Sequence, residues 1–196
     1  MLPDHVEQKG KLLNIVVTGT PGVGKTSFSL LLTDQLNTVL KSYQINNMSF
    51  NYINIGKLIN EKHLYKDWNK EFDVPEFDDD MVCDELEPSI NQGGAILDFH
   101  SPGFIPEDWV DLVVLLRCNN TILYDRLKAR GYSDKKITEN IDCEIMEVTA
   151  DDVKESFGAE KIIELKSEEN TDMEKNIETV IKTIENMGFM KKNNNN

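Results

Sequence analysis

The chain has 196 residues and carries 35 acidic against 21 basic side chains, a formal net charge of −14. That length fits one domain with a full core, and that charge argues against bare nucleic acid or an anionic membrane as a direct ligand. Three cysteines, Cys83, Cys118 and Cys143, include no C-x-x-C pair, which excludes a disulfide scaffold and a zinc site and fits a reducing, intracellular compartment with each thiol filling core space.

No run approaches the length of a membrane span, and the first ten residues, a polar leader, lack the basic-then-apolar layout of a secretory signal. The run LLNIVVT over 12–18 reads as a buried strand. It leads into Gly19-Thr-Pro-Gly-Val-Gly-Lys25-Thr26, the G-x-x-x-x-G-K-T pattern. An amphipathic helix follows to about Leu40, with Leu30, Leu31, Leu36, Val39 and Leu40 as its apolar face. A polar turn occupies 42–47, a short alternating strand 50–54, and a helical pattern 55–63. The acidic, aromatic stretch 64–80, interrupted by Pro75, reads as a loop or small insertion over the site. A helix spans 80–91, shortened or kinked by Pro88. Buried strands follow at 95–98, ending in Asp98, and at 112–116, ending at Arg117. A helix over 121–130 turns Ile122, Leu123 and Leu127 inward and breaks at Gly131. A second begins near Asp134 with Ile137, Ile141 and Ile145 as its packing face. A last strand, 161–165, and a closing helix, 170–187, with Met173, Ile177, Ile181 and Ile184 inward, complete one domain over 1–192; the run of asparagines at 193–196 reads as a disordered tail. Strands alternating with helices predict an α/β fold, a parallel sheet flanked by helices with its ligand at the carboxyl ends of the strands.

The chemistry follows from the turn after the first strand. Glycines let backbone N–H groups converge on phosphate oxygens, and the helix dipole adds partial positive charge. Gly19, Pro21, Gly22, Gly24, Lys25, Thr26 and Ser27 form the nucleotide-binding set, with Lys25 on the β- and γ-phosphates and the Thr26 hydroxyl on Mg²⁺. The loop predicts a nucleoside triphosphate bound with Mg²⁺. Asp98, at the end of an apolar strand, fits the carboxylate that holds the magnesium water shell. His100, two residues on, shares its side of an extended backbone and can orient a water or donate to a phosphate. The chain has three arginines, Arg117, Arg126 and Arg130. Arg126 and Arg130 are four apart on one helix, hence on one face, and guanidinium groups suit the equatorial oxygens of a phosphoryl group in transfer. Their place before Gly131 points to a lid closing over ATP. A Ras-like GTPase is disfavoured. No glycine follows an Asp by three residues, and the nearest approach to N-K-x-D is Asn69-Lys-Glu-Phe72.

The phosphate loop, Tyr52-Ile-Asn-Ile-Gly56, Asp98-Phe-His100, the DRLKARGY run of 125–132, the KKITENI run of 135–141 and Cys143-Glu-Ile145 together resemble the adenylate kinase isoenzyme 6 family. These are adenylate-kinase-like ATPases of the nucleus and cytoplasm linked to small-subunit ribosome maturation. The resemblance implies a P-loop fold of the nucleoside-monophosphate-kinase type, with a monophosphate-binding insertion at 54–77 and a lid at 129–139. It implies ATP phosphates at Gly22, Gly24, Lys25, Thr26 and Ser27 with Arg130 reaching them. It also implies an Asp98-x-His100 element tied to hydrolysis, an adenine bordered by 167–170, AMP or another monophosphate as acceptor, and a basic small-subunit ribosomal protein as partner. The sequence departs from the pattern at Asn60, and 54–77 contains no arginine, leaving Lys57 and Lys62 as candidates for the acceptor phosphate.

Overall fold

The computed structural model describes residues 11–69 and 74–188; the polar leader and the terminal asparagines lie outside them. Five parallel strands form one sheet: β1 (Ile15–Thr18), β2 (Asn51–Asn54), β5 (Ala95–Asp98), β6 (Leu112–Arg117) and β7 (Ile162–Lys166), in the order β2-β5-β1-β6-β7. Val17 lies opposite Asp98, and Asn54 lies opposite Asp98 on the other side. The chain moves from central β1 to edge β2, and β5 then fills the space between them. The carboxyl ends of these three strands therefore share one crevice, where such sheets bind ligands.

The strands β1, β5 and β6 are buried on both faces, as a parallel sheet covered by helices requires. Their side chains alternate between two cores. Ile15, Val17, Ile96, Leu112, Val114 and Leu116 join α1 (Lys25–Ser42), α4 (Asn120–Ala129) and α7 (Asn170–Asn186) on one side. Val16, Ala95, Leu97 and Val113 join α2 (Ile55–Lys62), α3 (Asp79–Gln92) and α6 (Val148–Ser156) on the other.

Several expectations are corrected. In α1 the inward residues are Phe28, Leu32, Leu36 and Leu40, one every four residues; Leu30 points out and is 51% exposed. Of the two alternatives for the stretch after α2, the loop is replaced by a small insertion, an antiparallel hairpin of β3 (Tyr65–Asn69) with β4 (Val74–Phe77). A two-stranded ribbon has only edge strands, which is where a strand proline is tolerated. Pro88 does not shorten α3, which continues to Gln92. An interior proline costs about 3 kcal/mol, but Val82, Leu86 and Ile90 are each 1% exposed or less, and each such burial contributes roughly 1.5–3 kcal/mol. Packing wins over propensity. In α5 (Asp134–Ile145), Ile137 is buried and Ile141 packs on the core, but Ile145 is 57% exposed and Glu144 takes the inward position. Of the cysteines, Cys118 is in the core, while Cys83 and Cys143 are half-buried.

These assignments separate two leucines six residues apart on one helix. Leu36→Ala leaves a cavity and is expected to cost about 2–5 kcal/mol. Leu30→Ala is expected to stay within about 0.5 kcal/mol of wild type. Urea denaturation of the two variants measures both.

Candidate active site

Between β1 and α1 the backbone takes turns that only glycine accepts without strain. Gly19 has φ +140°, and a Cβ there would lie 2.4 Å from the Leu116 carbonyl oxygen. Gly22 has φ +105°, and a Cβ there would strike Leu123 and Leu127 at 2.7 and 2.9 Å. Both positions press the loop onto β6 and α4, while the N-terminus of α1, with Gly24 at the cap, directs its unpaired N–H groups and positive dipole end outward.

A cleft of about 810 Å³ opens over this loop. Pro21, Gly22, Gly24, Lys25, Thr26 and Ser27 line one end, together with Asp98, His100 and Arg130. Gly19 lies beneath the loop, fully packed. The Lys25 ammonium donates to the carbonyls of Gly19 at 2.6 Å and Thr20 at 3.2 Å. Burial lowers its pKa to about 8; the charge of Asp98 opposes this, Arg130 adds to it and Glu144 opposes it. His100 is solvent-accessible in the cleft, yet the protein packed around its ring, with Lys25, lowers its pKa to about 4 against the pull of Asp98. It is a neutral imidazole at physiological pH, with one donor and one acceptor nitrogen.

Asp98 is 3% exposed and accepts three hydrogen bonds on Oδ2: from Thr26 Oγ1 at 2.7 Å, Tyr52 OH at 2.9 Å and Asn54 Nδ2 at 2.9 Å. The Thr26 hydroxyl and the Asp98 carboxylate thus stand side by side, two hard oxygen donors at the mouth of the loop. Among the described residues no group of three or more His, Cys, Asp or Glu is placed to hold a metal. Magnesium suits such a site, because it takes one or two protein oxygens and completes its shell with phosphates and water. The residues fit Mg²⁺ bound with a nucleotide.

The two helix arginines part company. Arg130, at the C-cap of α4, faces the cleft. Arg126 does not line it; its guanidinium donates to the carbonyls of Ser167 and Glu168, both at 2.7 Å. Carbonyls beyond the end of a strand lack ladder partners, and Arg126 lies one turn back along α4, beside them. The expectation that the two share one site is not met: Arg130 alone of the pair lines the cleft. Lys57 and Lys62 are likewise outside the cleft, exposed and paired with Glu61 and Glu85. Lys136, from α5, lines it instead, its ammonium 4.9 Å from the centre of the Tyr132 ring. Asn60 lines the cleft with its amide donating to the Gly56 carbonyl at 2.9 Å.

Sequence reasoning missed Tyr52, Asn54, Lys136 and the buried hub at Glu144. That carboxylate accepts from Thr20 Oγ1 at 2.5 Å, Arg117 Nε at 2.8 Å and the Cys118 amide at 3.2 Å. Tyr52 and Asn54 share one side of a strand by their spacing, and an Asn before a helical run is an N-cap signal. Glu144 carries no such mark.

Residues 15–147 match the family model described as AAA domain. A Dictyostelium discoideum protein named adenylate kinase isoenzyme 6 homolog is 39% identical over 181 residues, spanning 92% of this chain and 95% of that one. The chain belongs to the adenylate kinase isoenzyme 6 family. Another relative of that name, from Saccharomyces cerevisiae, is 39% identical over 168 residues, 86% of this chain and 80% of its own. A shikimate kinase from Bacteroides thetaiotaomicron superposes with a TM-score of 0.58 at 14% identity, over 88% of this chain and 98% of its own. That likeness shows the fold alone, an α/β P-loop architecture. As a family member the protein is a nucleotide-kinase-type enzyme, and among the described residues no helix is long and apolar enough to cross a membrane.

The Lys25 environment sets a pH dependence. Bound polyphosphate raises the pKa of this ammonium above the free value near 8. Affinity is therefore fully present below that value and lost as pH rises through it, by about tenfold per unit at most. Titration of a fluorescent ATP analogue between about pH 7.5 and 9.5 is expected to show this fall, and Lys25→Arg, charged throughout, is expected to flatten it.

Proposed function

We propose that the protein is a nucleoside-monophosphate kinase that converts Mg·ATP and AMP to two ADP, with ATP hydrolysis as a secondary activity. One observation carries the reading: a single cleft is bordered by the phosphate loop, by Asn54, Asn60 and Phe77 of the proposed acceptor insertion 54–77, and by Arg130, Tyr132 and Lys136 of the proposed lid 129–139. Donor and acceptor would thus meet in one enclosure, which supplies proximity and alignment. The acceptor phosphate is itself the nucleophile, so no general base is needed. Lys25, Arg130 and Lys136 neutralise charge that spreads over the transferred group. Thr26 and Asp98 would hold Mg²⁺, directly and through water, and the metal supplies charge neutralisation between the phosphates when bound. Arg126 acts at a distance in this reading, fixing the 167–168 backbone that borders the adenine. Ser167 Oγ, donating to the Val23 carbonyl at 2.6 Å, ties the same segment to the phosphate loop.

A second reading, an ATP-hydrolysing assembly factor with little kinase work, is favoured by His100. A neutral imidazole beside Asp98 and Lys25 is suited to placing water, which transfer to AMP does not require. The net charge of −14 suits a basic partner, and the family resemblance points to a small-subunit ribosomal protein and to work in nucleus and cytoplasm.

Incubating Mg·ATP with each nucleoside monophosphate and with none, then quantifying products, separates the two readings. The kinase reading expects AMP to raise ADP formation well above the acceptor-free rate, with two ADP per AMP consumed; no acceleration by any monophosphate favours the second. Lys25→Ala is expected to lower both activities by at least about 10²–10³-fold with the fold intact by circular dichroism. The Asp98→Ala, His100→Ala double variant is expected to lose acceptor-free hydrolysis, and undiminished hydrolysis there removes the water-placing role.

A further inference from the structure

Asn54 occupies two structures at once. It ends β2 and caps α2, and its side-chain Oδ1 accepts from the Lys57 amide at 2.8 Å. Because a backbone N–H can only donate, the atom facing it must be the oxygen, and this fixes the orientation of the amide. The nitrogen is thereby turned toward Asp98, donating to Oδ2 at 2.9 Å and to Tyr52 OH at 3.1 Å. Tyr52 OH in turn donates to the same carboxylate oxygen at 2.9 Å.

The parallel register makes this possible, since Asn54 is the direct neighbour of Asp98 across β2 and β5. Two donors from β2 and one from Thr26 converge on a single oxygen of a buried carboxylate. They fix its rotamer through that oxygen. Helix α2 begins at the very next residue, and its Gly56, Ile59 and Asn60 line the same cleft.

We infer that Asn54, assisted by Tyr52, is a positioning residue that fixes the Asp98 carboxylate for the magnesium shell and links it mechanically to α2 at the acceptor end of the cleft. The inference rests on the reading of Asp98 as the magnesium-shell carboxylate. One planar amide cannot rotate to follow a shift of α2 without loosening its hold on Asp98, so the state of the acceptor end and the state of the metal carboxylate are coupled. By reciprocity, whatever Mg·ATP does to acceptor affinity through this amide, the acceptor does to Mg·ATP affinity.

The test is equilibrium binding of a non-hydrolysable ATP analogue with and without Mg²⁺, followed by AMP titration into each complex. Asn54→Ser keeps an N-cap oxygen and removes the amide donor; Tyr52→Phe removes the second donor; Asn54→Ala removes cap and donor together. The enhancement of analogue affinity by Mg²⁺ is expected to fall about tenfold in Asn54→Ser, the scale of lost support behind a metal site. It should fall further in the double variant with Tyr52→Phe. AMP affinity is expected to depend on Mg²⁺ in wild type, and that dependence is expected to vanish in Asn54→Ser. A purely structural role for Asn54 predicts the reverse pattern: a lowered melting temperature and weaker Mg-free binding in Asn54→Ala, with the Mg²⁺ enhancement intact in Asn54→Ser. That pattern overturns the inference alone. Absence of any Mg²⁺ enhancement in wild type overturns the metal role of Asp98 and the inference with it.

Discussion

A carboxylate buried at the end of a central strand is unfavourable unless donors surround it, and the arrangement of this molecule is organised around supplying them to Asp98. The strand order places β5 between β1 and β2. The loop that leaves β1 brings Thr26 from one side, and the end of β2 brings Tyr52 and Asn54 from the other. Neither neighbour is close in sequence. Only the crossover from β1 to the sheet edge, with β5 inserted later, assembles the three. Phosphate loop, Asp98 and the start of α2 are thus held to one another by short hydrogen bonds rather than by a common segment of chain.

The electrostatics of the cleft run against those of the whole chain. A surface with a net charge of −14 repels polyphosphate at long range, and screening confines that repulsion to about a nanometre at physiological salt. Within the cleft the balance reverses. Lys25, Arg130 and Lys136 converge on it from the loop, the end of α4 and the start of α5. Burial, and to a smaller extent the charge of Arg130, already depress the ammonium of Lys25, so an incoming polyphosphate restores a favourable setting for its charge as well as filling a space.

Much of this was readable before any coordinates. Buried parallel strands are continuous apolar runs, so β1, β5 and β6 announce themselves, and the glycine spacing between β1 and α1 carries its chemistry on its face. Asp98 was legible because a charge rarely ends such a run without cause. What stayed hidden shares one property: it depends on partners distant in sequence. Glu144 looks like any helix glutamate until Thr20 and Arg117 are placed beside it. Arg126 and Arg130 are equivalent by periodicity, yet the carbonyls of Ser167 and Glu168 claim the first, and the second lines the cleft. Leu30 and Leu32 are indistinguishable in a leucine run, and only the direction of the sheet beneath α1 decides between them. The hairpin of β3 and β4 is obscured by proline and acidic residues that a ribbon with two edges accepts.

Glu144 has one more bearing, on how α5 is held. Its bonds to Thr20 and Arg117, with burial of Ile137 one face-length earlier, pin α5 to the phosphate loop and the core. Unpairing such a buried ion pair costs roughly 3–5 kcal/mol. Helix α4 is pinned as well, by Leu123 and Leu127. What remains between them is the connection through Gly131, where φ is +75° and no atom lies within 4 Å of a would-be Cβ. The bend between the two anchored helices is thus set by the backbone conformation that glycine permits, and not by crowding around Gly131.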